Sequence, residues 1–324
     1  MSQISRSDIE AATDVVYRTM SPTPSYAWPL PARRAGCEVW VKHENHTPIG
    51  AFKVRGGLLY VDELTRTGRD IAGVISATRG NHGQSIALAA LNAGLPAVIY
   101  VPEGNSVEKN AAMAAFGAEL VVHGRDFDEA REACERAAEA RGLHMVPSFH
   151  RTLVCGVATY ALEFFTSAPD LDVAYVPIGM GSGICGMIAA RDALGLTTDI
   201  VGVVAEGAPT LALSFEAGRP VPTNEARTFA DGMACRVPNE DALAIIHRGA
   251  ARIVTVSDDE IADAMRFLYE DTHNLAEGAG AAAFAALMQE RGSLAGRKAG
   301  VVLSGGNIDR RHYCNVLNGA TPGA

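Results

Sequence analysis

Positive charge is nowhere concentrated in this chain: no lysine or arginine cluster occurs, and the formal net charge over its 324 residues is -9. That excludes a broad docking surface for nucleic acid or anionic lipid, both of which call for a basic footprint. No apolar stretch is long enough to cross a bilayer, and the start, Met1-Ser2-Gln3-Ile4-Ser5-Arg6, lacks the apolar core of a signal peptide. The six cysteines (Cys37, Cys134, Cys155, Cys185, Cys235, Cys314) show no C-x-x-C spacing. A disulfide framework or zinc site is therefore not expected, and a reducing cytoplasm is the simplest setting. Internal repeats and low-complexity tracts are also missing. What remains, 48% hydrophobic and 20% charged, is the composition of a soluble globular protein long enough for two lobes. No appended regulatory module is expected after the last strand.

Short apolar runs alternate with helical periodicity along the chain. Residues 7–20 read as an N-terminal helix opened by a capping box at Ser7-Asp8-Ile9-Glu10, and Pro22, Pro24, Pro29 and Pro31 predict an extended segment behind it. Strands are expected at 38–42, 74–77, 97–101, 120–122, 173–178, 200–205 and 298–304. Helices are expected at 52–64, from the 78–82 turn to Asn92, at 106–116 and at 127–140, with 278–286 as a tightly packed helix. Such alternation predicts parallel sheets covered by helices on both faces.

Chemistry is concentrated in four stretches. In Asn45-His46-Thr47-Pro48-Ile49-Gly50-Ala51-Phe52-Lys53-Val54-Arg55-Gly56-Gly57, Lys53 stands among apolar residues. Desolvation pushes a lysine toward the neutral amine, which attacks carbonyls; alternatively its stem lies along the helix with the charge in water. In Ser76-Ala77-Thr78-Arg79-Gly80-Asn81-His82-Gly83-Gln84-Ser85, polar groups follow a buried strand, at the edge where open α/β sheets bind ligands. A solvated loop with an ordinary helix cap fits the same residues. Val176-Pro177-Ile178-Gly179-Met180-Gly181-Ser182-Gly183-Ile184-Cys185-Gly186 joins a strand to a helix whose free N–H groups can hold a phosphate. Residues 181–186 also spell G-x-G-x-x-G, with Glu206 twenty positions on, the dinucleotide fingerprint of an NAD-dependent dehydrogenase. Finally, Ser304 in Val301-Val302-Leu303-Ser304-Gly305-Gly306-Asn307-Ile308-Asp309 can offer a neutral hydroxyl to a heterocyclic nitrogen, or lie in a plain glycine-rich turn.

Taken in order, the four stretches resemble the fold-type II pyridoxal 5'-phosphate (PLP) enzymes, specifically the threonine/serine dehydratase and serine racemase group, from about Val15 to Asp309. The resemblance implies a two-lobed α/β fold like the tryptophan synthase beta chain, each lobe a twisted, mostly parallel sheet flanked by helices. It implies a large cofactor-binding domain (1–47 with 150–324), a small substrate-loop domain (48–149), and a homodimer. By resemblance Lys53 carries PLP as an imine, Phe52 lines the ring, Asn81 bonds the ring 3-hydroxyl, and Ser304 meets the ring nitrogen. Gly179, Met180, Gly181, Ser182 and Gly183 would cradle the phosphate. Thr78, Asn81, His82 and Gly232 would meet the substrate, with Glu277 in a further active-site segment. The implied reaction removes water and then ammonia from a 3-hydroxy amino acid of the threonine/serine type, Lys53 taking the Cα proton and a 2-oxo acid leaving. A 3-hydroxyaspartate and phenylserine are the alternative substrates.

Departures from the family pattern carry their own expectations. Arg79 stands where racemase relatives have a second serine as opposite-face acid/base. A guanidinium is always protonated, so elimination without efficient racemisation is expected. The Arg79 fork can instead pair a second substrate carboxylate, or a carboxylate of the protein. Where some relatives bind a divalent cation, this chain has Glu206, Thr210 and Ala212; lacking the last acid, it is expected to hold no metal there.

Overall fold

A computed structural model describes residues 2–67, 71–125 and 127–323. Its strands are β1 (Ser25–Ala27), β2 (Glu38–His43), β3 (Val74–Ala77), β4 (Ala97–Val101), β5 (Glu119–Val122), β6 (His144–Met145), β7 (Val173–Pro177), β8 (Asp199–Ala205), β9 (Arg252–Val256) and β10 (Lys298–Leu303). They form a six-stranded sheet, order β1-β2-β10-β7-β8-β9, and a four-stranded sheet, order β5-β4-β3-β6. Every pairing is parallel except the antiparallel β1–β2 edge. Parallel strands need crossovers, and the intervening helices cover both faces, which is why β3 and β7 are buried at every position.

The pleat sorts the core. Val201, Val203 and Ala205 of β8 enter one hydrophobic cluster and Ile200 and Val204 the other, as a period of two requires. Between them Gly202 leaves room for Ile178, whose Cδ1 a Cβ there would strike. The alanine-rich helix Gly278–Glu290 is buried throughout its first ten residues. A Cβ at Gly280 would collide with the Gly305 carbonyl oxygen, so this helix lies directly against the turn that follows β10.

The N-terminal helix begins earlier and ends sooner than expected, at Arg6–Val16. Its capping box uses Ser5, not Ser7: the Ser5 hydroxyl accepts from the Asp8 N–H at 3.2 Å and the Asp8 carboxylate accepts from the Ser5 N–H at 2.9 Å. The proline segment is extended only up to Trp28. Pro29 opens a short helix, Pro29–Ala35, closed by Gly36 at φ 72°. A proline in the first turn lacks an N–H that would have had no helical partner. Strands β1, β6 and β9 were not expected; two are only three or two residues long, and β9 is only half-buried. The carboxyl ends of β3, β7 and β10 meet at one cleft between the sheets, tied by an isolated bridge between Ala51 and Gly305.

Candidate active site

Lys53 is delivered to this cleft by a sequence of local constraints. After β2 the chain turns, the Thr47 hydroxyl accepting from the Ala51 N–H at 2.9 Å and donating to its carbonyl at 2.8 Å. The Phe52 N–H then donates to the Ser304 carbonyl at 3.0 Å, and Lys53 is the first residue of the helix Lys53–Arg66. Arg55, one turn-step behind, is completely buried. It donates to Glu44 at 2.7 and 2.9 Å and to Glu163 at 2.6 and 2.9 Å, while Lys42 donates to Glu163 at 2.5 Å. Two buried cations thus meet two buried carboxylates beneath Lys53, with Thr23, Thr159 and Tyr17 satisfying further positions.

The Lys53 ammonium reaches the Ser182 hydroxyl at 3.1 Å. Burial pushes its pKa down to about 8, with Cys235 opposing the shift. Rather than running along the outer face of its helix, the half-buried Lys53 side chain turns into the cleft and onto Ser182. Facing it, Gly181 adopts φ 99° and caps the helix Ser182–Ala193, whose first N–H groups have no helical partners. Gly179 lies so close to the Gly232 carbonyl oxygen that no Cβ would fit. A Cβ on Gly183 would stand 3.4 Å from the Phe52 ring, which places Phe52 against the same loop. Met180 lies with its sulfur 3.3 Å from Cys235.

The 78–82 loop closes the other side. The Thr78 hydroxyl accepts from the N–H groups of Gly80 at 2.9 Å and Gly83 at 3.3 Å, so it braces the loop itself. Asn81 donates to Glu277 at 2.6 Å and accepts from Asn307 at 2.9 Å. His82 Nε2 is buried without a hydrogen-bond partner, and burial together with the Lys53 charge pushes its pKa down to about 3, so the ring is neutral. Arg79 is exposed at the cleft and makes no ion pair within the described chain. Ser304 is buried, its hydroxyl holding only a long contact to the Ala279 carbonyl at 3.4 Å.

All the sequence-predicted residues, from Phe52 to Ser304, line one cavity of about 870 Å³. A desolvated amine, a helix N-terminus free of Cβ obstruction and an uncommitted buried hydroxyl fit the aldehyde, phosphate and ring nitrogen of PLP. Missed from the sequence were Lys109, Asp231 and Asn307, which join the site by hydrogen bonds across the cleft. A weak signal existed in the acids: Asp231 adjoins Gly232, Glu277 was itself singled out, and a buried carboxylate such as Glu277 requires a cation.

The dinucleotide fingerprint comes apart in three dimensions. Gly186 packs on the helix Arg151–Ser167, where a Cβ would lie 3.0 Å from the Ala158 nitrogen, and Glu206 is exposed and does not line the cavity. Ala212 packs on the apolar core, and the Thr210 hydroxyl donates to the Val221 carbonyl at 2.7 Å.

Residues 16–305 match the family described as pyridoxal-phosphate dependent enzyme. An L-threonine ammonia-lyase of Thermotoga maritima is 34% identical over 284 residues, 87% of this chain and 70% of that protein. An L-threo-3-hydroxyaspartate ammonia-lyase of Saccharomyces cerevisiae is 32% identical over 98% of this chain and 97% of its own. The structure of maize serine racemase superposes with a TM-score of 0.91 at 25% identity, covering 98% of each chain. The reading of residues 181–186 as a dinucleotide site is thereby overturned: the chain belongs to the pyridoxal-phosphate dependent enzymes of fold type II, and its cofactor is PLP.

Proposed function

We propose that this protein is an ammonia-lyase acting on a 3-hydroxy amino acid of the threonine/serine type, yielding a 2-oxo acid and ammonia. The observation that carries the proposal is the Lys53 amine, desolvated and held 3.1 Å from Ser182 at the N-terminus of the helix that the glycine-rich 179–183 loop opens. When bound, PLP supplies an electron sink for charge developing at the substrate Cα. Lys53 then takes the Cα proton, a role suited to an amine with a pKa of about 8. Gly179, Met180, Gly181, Ser182 and Gly183 would hold the phosphate through backbone N–H groups and the Ser182 hydroxyl. Phe52 would wall the ring, and Ser304 would offer its neutral hydroxyl to the ring nitrogen. Asn81 would give its remaining N–H to the ring 3-oxygen. Neutral His82, Gly232 and the loop braced by Thr78 orient the substrate carboxylate. Arg79 cannot accept a proton, so the enzyme eliminates rather than racemises. We further propose the division into 1–47 with 150–324 and 48–149, a homodimeric assembly, and a cytoplasmic location, the last supported by six unpaired cysteines.

A second reading has its own observation. Arg79 is exposed at the cleft and pairs with no carboxylate among the described residues, which leaves its fork to bind a second substrate carboxylate. That favours a 3-hydroxyaspartate, the substrate named for the yeast relative. Both readings are tested by offering L-threonine, L-serine, the 3-hydroxyaspartates and phenylserine, and scoring 2-oxo acid release. Release from L-threonine or L-serine is the expected result, and isomerisation of L-serine as fast as its elimination refutes the role given to Arg79. Under the second reading Arg79→Ala weakens kcat/KM for hydroxyaspartate by about tenfold or more, the worth of a charged hydrogen bond, and spares threonine. Equal effects on both substrates sink it.

A further inference from the structure

Lys109 is the second lysine of the cleft. It rides on the helix Val107–Ala115 beside the four-stranded sheet, and only 5% of the residue is exposed. Its ammonium donates to both Asp231 oxygens, at 2.8 and 3.0 Å, and to Glu277 Oε2 at 3.0 Å, which uses all three protons. Both acids belong to the opposite side of the cleft. Asp231 lies in the 3-10 turn Asp231–Met233, and Glu277 caps the helix Gly278–Glu290 behind β10. One cation therefore spans the two halves from within the site.

Each partner leads to a part of the cofactor and substrate cradle. The remaining Glu277 oxygen accepts from Asn81 Nδ2 at 2.6 Å, and Asn307 Nδ2 donates to Asn81 Oδ1 at 2.9 Å. Those two bonds fix the amide and leave Asn81 a single uncommitted N–H. Asp231 adjoins Gly232, whose carbonyl rests on Gly179 of the phosphate loop. A Cβ on Gly80 would strike Lys109 Cδ, so the 78–82 loop lies directly on the lysine stem. A buried ion pair demands close geometry, so this bridge forms at one separation of the two halves.

We infer that Lys109 is a positioning residue, whose bridge to Asp231 and Glu277 sets the closed spacing of the cleft and orients Asn81 without itself meeting the reacting atoms. The inference uses the proposed lyase reaction only for one of its three readouts. The test compares PLP-loaded wild type with Asp231→Asn, Lys109→Met and Lys109→Arg. Hydrogen–deuterium exchange over 78–92 and 107–116, the visible band of the bound cofactor, and kcat and KM are measured. Asp231→Asn is nearly isosteric and leaves Glu277 to balance the lysine, so it decides the matter should Lys109→Met fail to fold. Both are expected to speed exchange over 78–92 by about tenfold, to shift the visible band and to lower kcat by about tenfold. Lys109→Arg keeps the charge and recovers part of the protection lost in Lys109→Met. Wild-type exchange and kcat within twofold in Asp231→Asn overturn the inference, as does identical behaviour of the Met and Arg variants. If no 3-hydroxy amino acid is turned over, the lyase assignment fails, while exchange and the visible band still judge Lys109.

Discussion

At the scale of single residues, the site is built by making one lysine uncomfortable. Lys53 trades hydration for a place among Phe52, Ser182 and Cys235, and its pKa falls to about 8. A folded-state pKa below the unfolded value means the unfolded chain binds more protons between about pH 8 and the ordinary lysine range. Stability of the cofactor-free protein therefore rises with pH through that window, and the full cost of the charge is present below it. Lys53→Met is expected to stabilise the cofactor-free protein at pH 7 by about 1–3 kcal/mol, read from thermal or urea unfolding. Capture of PLP by the cofactor-free wild type, followed at its visible band, should level off just above pH 8. A capture rate still climbing steeply at pH 10 would contradict the assigned environment. His82 makes the complementary case: it stays neutral because burial and the Lys53 charge both oppose its protonation.

At the scale of elements, the helix Lys53–Arg66 begins where it does because Arg55 nails its first turn to the end of β2 and to the helix Arg151–Ser167. Burial raises the Glu163 pKa, yet Arg55 and Lys42 outweigh it and hold the carboxyl below its ordinary value. Its contribution to stability is thus present above the ordinary glutamate pKa and lost as acid protonates the folded carboxyl. Arg55→Met leaves two buried carboxylates with only Lys42 and is expected to cost about 3–5 kcal/mol in urea unfolding at neutral pH. Arg55→Lys, keeping the charge but not the fork, should cost less. None of this network was legible in the sequence, where Lys42, Glu44, Arg55 and Glu163 are scattered over 121 positions of chain. The inner parallel strands were legible, because β3 and β7, buried throughout, and β10, buried after Lys298, read as largely apolar runs, whereas the edge strands β6 and β9 did not. The helix Pro29–Ala35 was not, since prolines mark both extended chain and first helical turns. Of the site, the strand-end loops announced themselves through glycine and polar residues at sheet edges. Lys109 did not, since a helical lysine gains meaning only from acids more than a hundred residues away.

At the scale of the whole molecule, the cleft between the sheets is fastened in layers that differ in burial. Innermost is the Lys109 bridge. At one flank Ser106 donates to Asp309 at 2.5 Å, while the Arg310 N–H donates to Glu108 at 2.9 Å. Outermost, Arg236 pairs with Asp128 at the start of the helix Phe127–Arg141, both side chains about one-third exposed. Water screens that outer pair, so it contributes on the order of 0–1 kcal/mol to stability. Its position matters more than its strength, because Arg236 and Asp128 both line the cavity. A weak tie across an entrance shifts the balance of open and closed forms without holding the fold together. Arg236→Ala is therefore expected to leave the urea midpoint nearly unchanged and to alter KM severalfold. Wild-type KM should itself respond to salt between 0.05 and 0.5 M, and that response should vanish in the variant. A salt dependence that survives unchanged in Arg236→Ala would assign it to other charges, Arg79 foremost. A loss of several kcal/mol in stability would instead make the outer pair a structural bond, as the inner Arg55 cluster is.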